Sequence, residues 1–284
     1  IGTVDVEKVT EDELASMMVG RSVNFNVDKP EQEPGRVVLD VKDLHGFDYR
    51  GVEILKGLDL QVRAGEIVGI AGIDGNGQTE MVEIITGLMK GESGQVLVNG
   101  VDVFNKPPRF GFEHGVSSIP ADRQKHGLVL EFPVEDNLIL QKYNETPFSE
   151  RHLLKRAVIS GHAVDAIEKF DIRPGGCSDR AAGTLSGGNQ QKVIIAREVM
   201  NDKELLIAVN PTRGLDVGAI EYVHKYLVDQ RNKGKAVLLV SFELDEIIGL
   251  SDVIDVIFDG RIVASMPGKD ADENTLGLLM AGGK

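Results

Sequence analysis

The sequence predicts an α/β fold, with a parallel sheet core, a small antiparallel β layer near the start and a helical subdomain inserted in the middle. Three observations carry this. The apolar runs Glu66 to Ala71, Leu205 to Val209 and Ala236 to Val240 are separated by helical patterns, as parallel strands joined by crossover helices are. Val37-Leu39-Val41 and Leu58-Leu60-Val62 alternate apolar with polar or mixed positions, and Val96 to Val101 contains an Asn99-Gly100 hairpin signal. Residues about 126–190 show helical periodicity and little strand signal.

Composition bounds the function classes. A chain of 284 residues suits one or two domains. With 45 acidic against 31 basic side chains the net charge is −14, which disfavours a general nucleic-acid binder. Any phosphate must therefore be gripped locally. Runs such as Ala236 to Val240 fall far short of the roughly 20 apolar residues of a membrane span. The single cysteine, Cys177, excludes an internal disulfide framework, and no charged-then-apolar leader opens the sequence, so a cytoplasmic location is expected. Glycine is the outlier: 33 of 284 is nearly twice the average of about 7%, which makes its placement informative.

Offset by 262 positions, Ile1-Gly2-Thr3-Val4 aligns with Val263-Ala264-Ser265-Met266, and Leu14, Met17, Met18 and Gly20 align with Leu276, Leu279, Met280 and Gly282. Both stretches read as a strand and a short amphipathic helix with a glycine stop, and the first adds a Thr10/Glu13 capping box. Two short amphipathic helices can also look alike by chance. The preferred expectation is that residues 1 to about 21 end an upstream homologous domain, residues 22–35 are a linker rich in proline and charge, and 36–284 form one domain.

The glycines concentrate at two helix starts. Gly72-Ile73-Asp74-Gly75-Asn76-Gly77-Gln78-Thr79 follows a buried strand and precedes a helix carrying Met81, Val82, Ile84, Ile85 and Leu88. This is the strand, G-x-x-x-x-G-K-[ST], helix pattern of a phosphate loop, with Gln78 where lysine belongs. Its glycines turn backbone N–H groups toward an anion and the helix adds its positive end. A dinucleotide fingerprint fails at its third glycine, where Glu80 stands. A neutral donor in place of a charged one is expected to weaken phosphate binding about tenfold without abolishing it.

The second start is Leu185-Ser186-Gly187-Gly188-Asn189-Gln190-Gln191-Lys192, ahead of a helix from Val193 to Met200. Alone it also suits an ordinary capped turn. Roughly 110 residues after a phosphate loop, however, it resembles the signature sequence of ABC-type ATPases. Pro211 to Ala219, with Arg213-Gly214-Leu215-Asp216-Val217-Gly218-Ala219, resembles the stretch after the second Walker strand that ends in the D-loop, and Tyr49 resembles the aromatic that stacks on adenine. The resemblance covers residues 36–284 and is nearest to the second ATP-binding half of fused importer ATPases for sugars and nucleosides. It implies a P-loop, RecA-like core, ATP with Mg as cofactors, an upstream homologous ATPase half in the same polypeptide or as dimer mate, and membrane permease subunits. It also implies a peripheral place on the inner face of the cell membrane. Tyr49, Gly72, Asp74, Gly75, Asn76, Gly77, Gln78 and Thr79 would hold the nucleotide, Thr79 weakly touching Mg. Leu185, Ser186, Gly187, Gly188 and Gln190 would act on the partner's site, with Asp216 in the D-loop.

The chain departs from that pattern at five positions. Besides Gln78, the strand that should end in Asp-Glu ends in Val209-Asn210, the switch histidine is Phe242 and the Q-loop glutamine falls near Ala121. Val209 cannot join a magnesium shell and Asn210 cannot take a proton from water; losing a general base alone removes about 10²- to 10⁴-fold in rate. By resemblance, two such domains pair head to tail with each nucleotide between one phosphate loop and the other signature. The expectation is a hydrolysis-deficient site on this chain's own loop and a signature that completes the partner's site. A soluble non-transport ATPase and a pseudo-ATPase scaffold without nucleotide are the alternatives. His45 and His224 are expected in exposed or core roles, Asp270-Asp272-Glu273 at a helix start, and Phe132 to Asn137 as a surface loop and helix cap near a permease groove.

Overall fold

The computed structural model describes Met17 and residues 29–283. Apart from Met17, the expected upstream tail and the first part of the linker lie outside the described residues. The chain divides into two compact units, one holding residues up to Ser118, Lys203–Thr212 and Asp216 onward, the other Ile119–Asp202 with Arg213–Leu215.

In the first unit, β1 (Val37–Phe47), β2 (Glu53–Arg63), β4 (Ser93–Val98) and β5 (Val101–Asp102) form an antiparallel sheet in the order β2-β1-β4-β5. Asn99 and Gly100, both at positive φ, turn β4 into β5 as the sequence predicts. A six-stranded sheet runs β12-β11-β3-β10-β9-β6, made of β3 (Glu66–Ala71), β6 (Val116–Ile119), β9 (Leu205–Val209), β10 (Ala236–Val240), β11 (Val253–Phe258) and β12 (Arg261–Pro267). β10 pairs in parallel with both β3 and β9, and β11 with β3, while β12 adds an antiparallel edge. Every residue of β3, β9 and β10 is buried, which is why these strands read as continuous apolar runs. A single apolar cluster joins Leu39, Leu55 and Leu58 of the small sheet to Ile70, Ile207 and Leu238 of the large one and to Met81, Ile84 and Ile85 of α1 (Gln78–Thr86).

The last residues of the expected linker are docked. Lys29 Nζ donates to Leu250 O (3.0 Å) and Ser251 O (2.7 Å) and pairs with Asp252 at 3.2 Å, while Arg231 Nη1 donates to Pro30 O at 2.6 Å. A cation on the last carbonyls of the helix Leu244–Leu250 complements its negative end. Composition marks this stretch as a linker; the carbonyls that hold it come from more than two hundred residues away.

The second unit contains α3 (Val134–Leu138), α4 (Arg156–Lys169) and α5 (Gly187–Met200) and encloses the expected 126–190 stretch. It also carries a hairpin of β7 (Ser149–Glu150) and β8 (Leu153–Leu154), which no periodicity announces because each strand has two residues. Ile139, Phe148 and Ile159 pack together. Asn137, fully buried, accepts from Val129 N (2.9 Å) and donates to the carbonyls of Val129, Phe132 and Pro133, fixing the loop ahead of α3.

Candidate functional site

The loop between β3 and α1 has the backbone of an anion cradle. Gly75 and Gly77 sit at φ 89° and 104°, where side-chain-bearing residues are strained, and a Cβ on Gly75 would meet nothing within 4 Å. α1 starts at Gly77 with no side-chain cap, so the amides of its first turn are left for an outside acceptor. Asp74 and Thr79 are exposed on this rim. Gln78 faces inward: it is 3% exposed and its Nε2 donates to Ile73 O at 3.1 Å, beside Asn76 Nδ2 on the same carbonyl at 3.0 Å. A Cβ on Gly72 would lie 2.5 Å from that Nε2, so glycine leaves the room the amide occupies. Asn76 Oδ1 in turn accepts from Asp259 N at 2.8 Å. The loop is thus braced by its own amides where the family pattern places a cation.

Tyr49 is 94% exposed, with the Arg50 guanidinium 5.6 Å from its ring centre. Asp48, which sequence reasoning missed, organises this corner. Its Oδ1 accepts from Arg50 N (2.8 Å) and Val52 N (3.0 Å), and its Oδ2 from Arg50 Nε at 2.8 Å. The Val52 amide and the Arg50 guanidinium hold the Asp48 carboxyl below the usual carboxylate range. An aspartate three residues before Gly51 is a turn signal that would have found it.

At the ends of β9 and β10 the side chains are apolar or neutral. Val209 is buried and offers no oxygen. Asn210, at φ 43°, donates its backbone N–H to Val240 O at 2.7 Å, and its Oδ1 accepts from Phe242 N at 3.1 Å. The carboxamide bridges two strand ends where a carboxylate would have to face water. Phe242 is 39% exposed and presents a ring with no hydrogen-bonding atom. Behind them, buried Glu246 Oε1 accepts from Thr212 Oγ1 (2.9 Å) and lies 2.9 Å from His224 Nε2. His224 is therefore a core residue, as expected, while its partner Glu246 gave no signal in the sequence. For magnesium the fit is poor: the Thr79 hydroxyl is present but Val209 cannot join it, and among the described residues no group of three or more His, Cys, Asp or Glu is placed to hold a metal.

In the second unit, Ala121 is exposed and Asp122 Oδ1 accepts from the amides of Gln124 and Lys125, capping the turn Arg123–Gly127. Those amides hold the Asp122 carboxyl low. Gln124, the nearest glutamine to Ala121, donates to Gln190 Oε1 at 3.2 Å. Ser186 is the N-cap of α5, its Oγ accepting from Asn189 N (3.5 Å) and Asn189 Nδ2 (2.8 Å), which leaves the hydroxyl proton to donate outward. Gly187 and Gly188 form the partly exposed first turn, Leu185 is buried, and buried Gln190 donates to Ala182 O at 3.3 Å. Asp216, in the first unit, N-caps the helix Val217–Asn232 through Ala219 N at 2.9 Å. Asp272 likewise caps Glu273–Met280, so that acidic cluster is a helix start.

Chemically, the first cluster can hold an anion on backbone donors but has no base or charged donor at the positions named. The second offers a hydroxyl and helix amides to an anion.

The sequence profile of the ABC transporter family matches residues 55–213. The guanosine import ATP-binding protein NupO of Bacillus subtilis is 51% identical over 282 residues, 99% of this chain and 55% of that protein. The nucleoside import ATP-binding protein NupA of Lactococcus lactis is 50% identical over 283 residues, 100% of this chain and 56% of that protein. The glucose import ATP-binding protein TsgD13 of Haloferax volcanii is 44% identical, over 100% of this chain and 52% of that protein. The chain thus spans about half the length of the curated relatives it matches. A nucleotide-free ATP-binding cassette from an ABC transporter superposes with TM-score 0.72 at 24% identity, covering 85% of this chain and 96% of that one, which shows the α/β P-loop fold. Among the described residues no helix is long and apolar enough to cross a membrane. A cradle, a capped signature helix and a profile that spans both place this chain in the ABC transporter family.

Proposed function

We propose that the chain is the second nucleotide-binding half of the ATP-driven subunit of an importer for nucleosides or simple sugars. In this reading residues 36–284 are one nucleotide-binding domain that follows an upstream homologous half and sits on the inner face of the membrane against permease subunits. Its own cradle, with Tyr49 under the base, holds nucleotide without turning it over. Its Leu185-Ser186-Gly187-Gly188 turn and Asp216 complete the ATP site of the other half, where Mg and hydrolysis belong. Nucleic acid is not a partner, in keeping with the −14 charge.

One observation carries the reading. The Asn210 carboxamide, standing where a carboxylate is needed, is held by Phe242 N, while Ser186 stays at the head of α5 with a proton to give. The names of the nucleoside and sugar import relatives support the solute class. The test is ATP turnover by the chain alone and paired with its upstream half. The reading expects none alone and turnover in the pair that Ser186→Arg removes. Hydrolysis by the isolated chain, unchanged by Ser186→Arg or Gln78→Ala, overturns it. A titration with no nucleotide bound, alone or paired, favours a scaffold instead.

A further inference from the structure

In the second unit, Arg123 sets its guanidinium against backbone. Its Nη1 donates to Arg213 O at 2.9 Å, and its Nε is buried without a hydrogen-bond partner. A Cβ added to Gly187 would lie 2.9 Å from its Nη2, and one added to Gly214 would lie 3.8 Å from the same nitrogen. The guanidinium is therefore wedged between the first residue of α5 and the Arg213-Gly214 backbone that leads to Asp216. Its own backbone belongs to the turn capped by Asp122, directly after Ala121.

This placement runs against simple electrostatics. A cation near the N-terminus of a helix faces the positive end of its dipole, and an orphaned N–H raises the cost further. Such an arrangement persists where geometry is what is needed. A planar guanidinium can contact two backbones in fixed directions at once, and a lysine ammonium cannot. We infer that Arg123 is a positioning residue for the signature turn, holding Gly187 and the Arg213-Gly214 segment in one register so that Ser186 is presented to the partner's nucleotide. The inference rests on the proposal that this signature serves the partner half.

The experiment compares Arg123→Ala, Arg123→Lys and Ser186→Arg in the pair of this chain with its upstream half, with kcat and KM for ATP and a thermal melt for each. A displacement of the turn by about 1 Å is expected to lower kcat about 10²-fold. KM should stay within about threefold, since the grip on ATP lies in the partner's phosphate loop. Lysine should rescue little, because it keeps the charge and loses the fork. If Arg123→Ala does not fold, the same loss of kcat in a folded Arg123→Lys carries the inference. Wild-type kcat in a folded Arg123→Ala or Arg123→Lys, with Ser186→Arg inactive, overturns the inference and leaves the functional proposal standing. Wild-type activity in Ser186→Arg overturns that proposal and the inference with it.

Discussion

The glycine-rich entries into α1 and α5 differ in what stands around them. At α1 the backbone is that of an anion cradle, with Gly75 and Gly77 at positive φ and no side-chain cap, while Gln78, Val209, Asn210 and Phe242 bring neither a charged donor nor a base. At α5 the Ser186 hydroxyl caps a first turn made of Gly187 and Gly188, with Gln190 buried behind it. The difference separates two physical tasks. Holding an anion on amides needs backbone shape alone, whereas cleaving a phosphoanhydride needs a base, a metal shell and a cation at fixed distances.

The sharpest way to break this contrast is Ser186→Arg in the paired assembly. It should lower hydrolysis about 10³-fold, as loss of a donor plus added bulk would, while nucleotide binding to the isolated chain, followed by calorimetry, stays unchanged. Next comes restoration: Gln78→Lys, Asn210→Glu and Phe242→His together should raise turnover at this chain's own loop by about 10²-fold, and Asn210→Glu alone by far less. A single-turnover assay that finds the single substitution equal to the triple would mean the loop never lost its other parts.

Gln78→Lys alone should tighten ATP binding about tenfold with no gain in turnover, because a charged donor replaces an amide that now braces Ile73 O. Tyr49→Ala should weaken binding about fivefold through lost stacking on the base, an effect that a triphosphate without a base must not show. The smallest effect concerns the scaffold under the cradle. Burial pushes the carboxyls of Glu66 and Asp255, on neighbouring strands β3 and β11, above the usual range. The folded chain then holds these protons more tightly than the unfolded one, so stability is full below the ordinary carboxylate pKa and falls as pH rises through the raised values. Asp255→Asn should therefore melt about 2 °C higher than the parent at pH 8 and lose that advantage at pH 4. A gain that persists at pH 4 would assign it to packing.

Much of the fold was legible because its signals are periodic or conformational. β3, β9 and β10 are uniformly buried and read as apolar runs, and the Asn99-Gly100 turn and the glycines at 75 and 77 follow from φ requirements. What escaped was set by contacts between distant residues. Glu246 joins Thr212 to His224, and Lys29 docks on Leu250 and Ser251; neither carries a local signature of its partner. The hairpin at Ser149–Glu150 and Leu153–Leu154 is too short for any period to mark.

The sequence by itself determined the α/β class and the family, because motifs and strand runs are local and side-chain identity is chemistry. Only the tertiary structure decided what these side chains do: Gln78 turns into the loop, Asn210 closes onto Phe242 and Arg123 seats against Gly187. A side chain's direction depends on which donors and acceptors the fold brings within about 3 Å, and for Asn210 and Arg123 those come from residues far away in the chain.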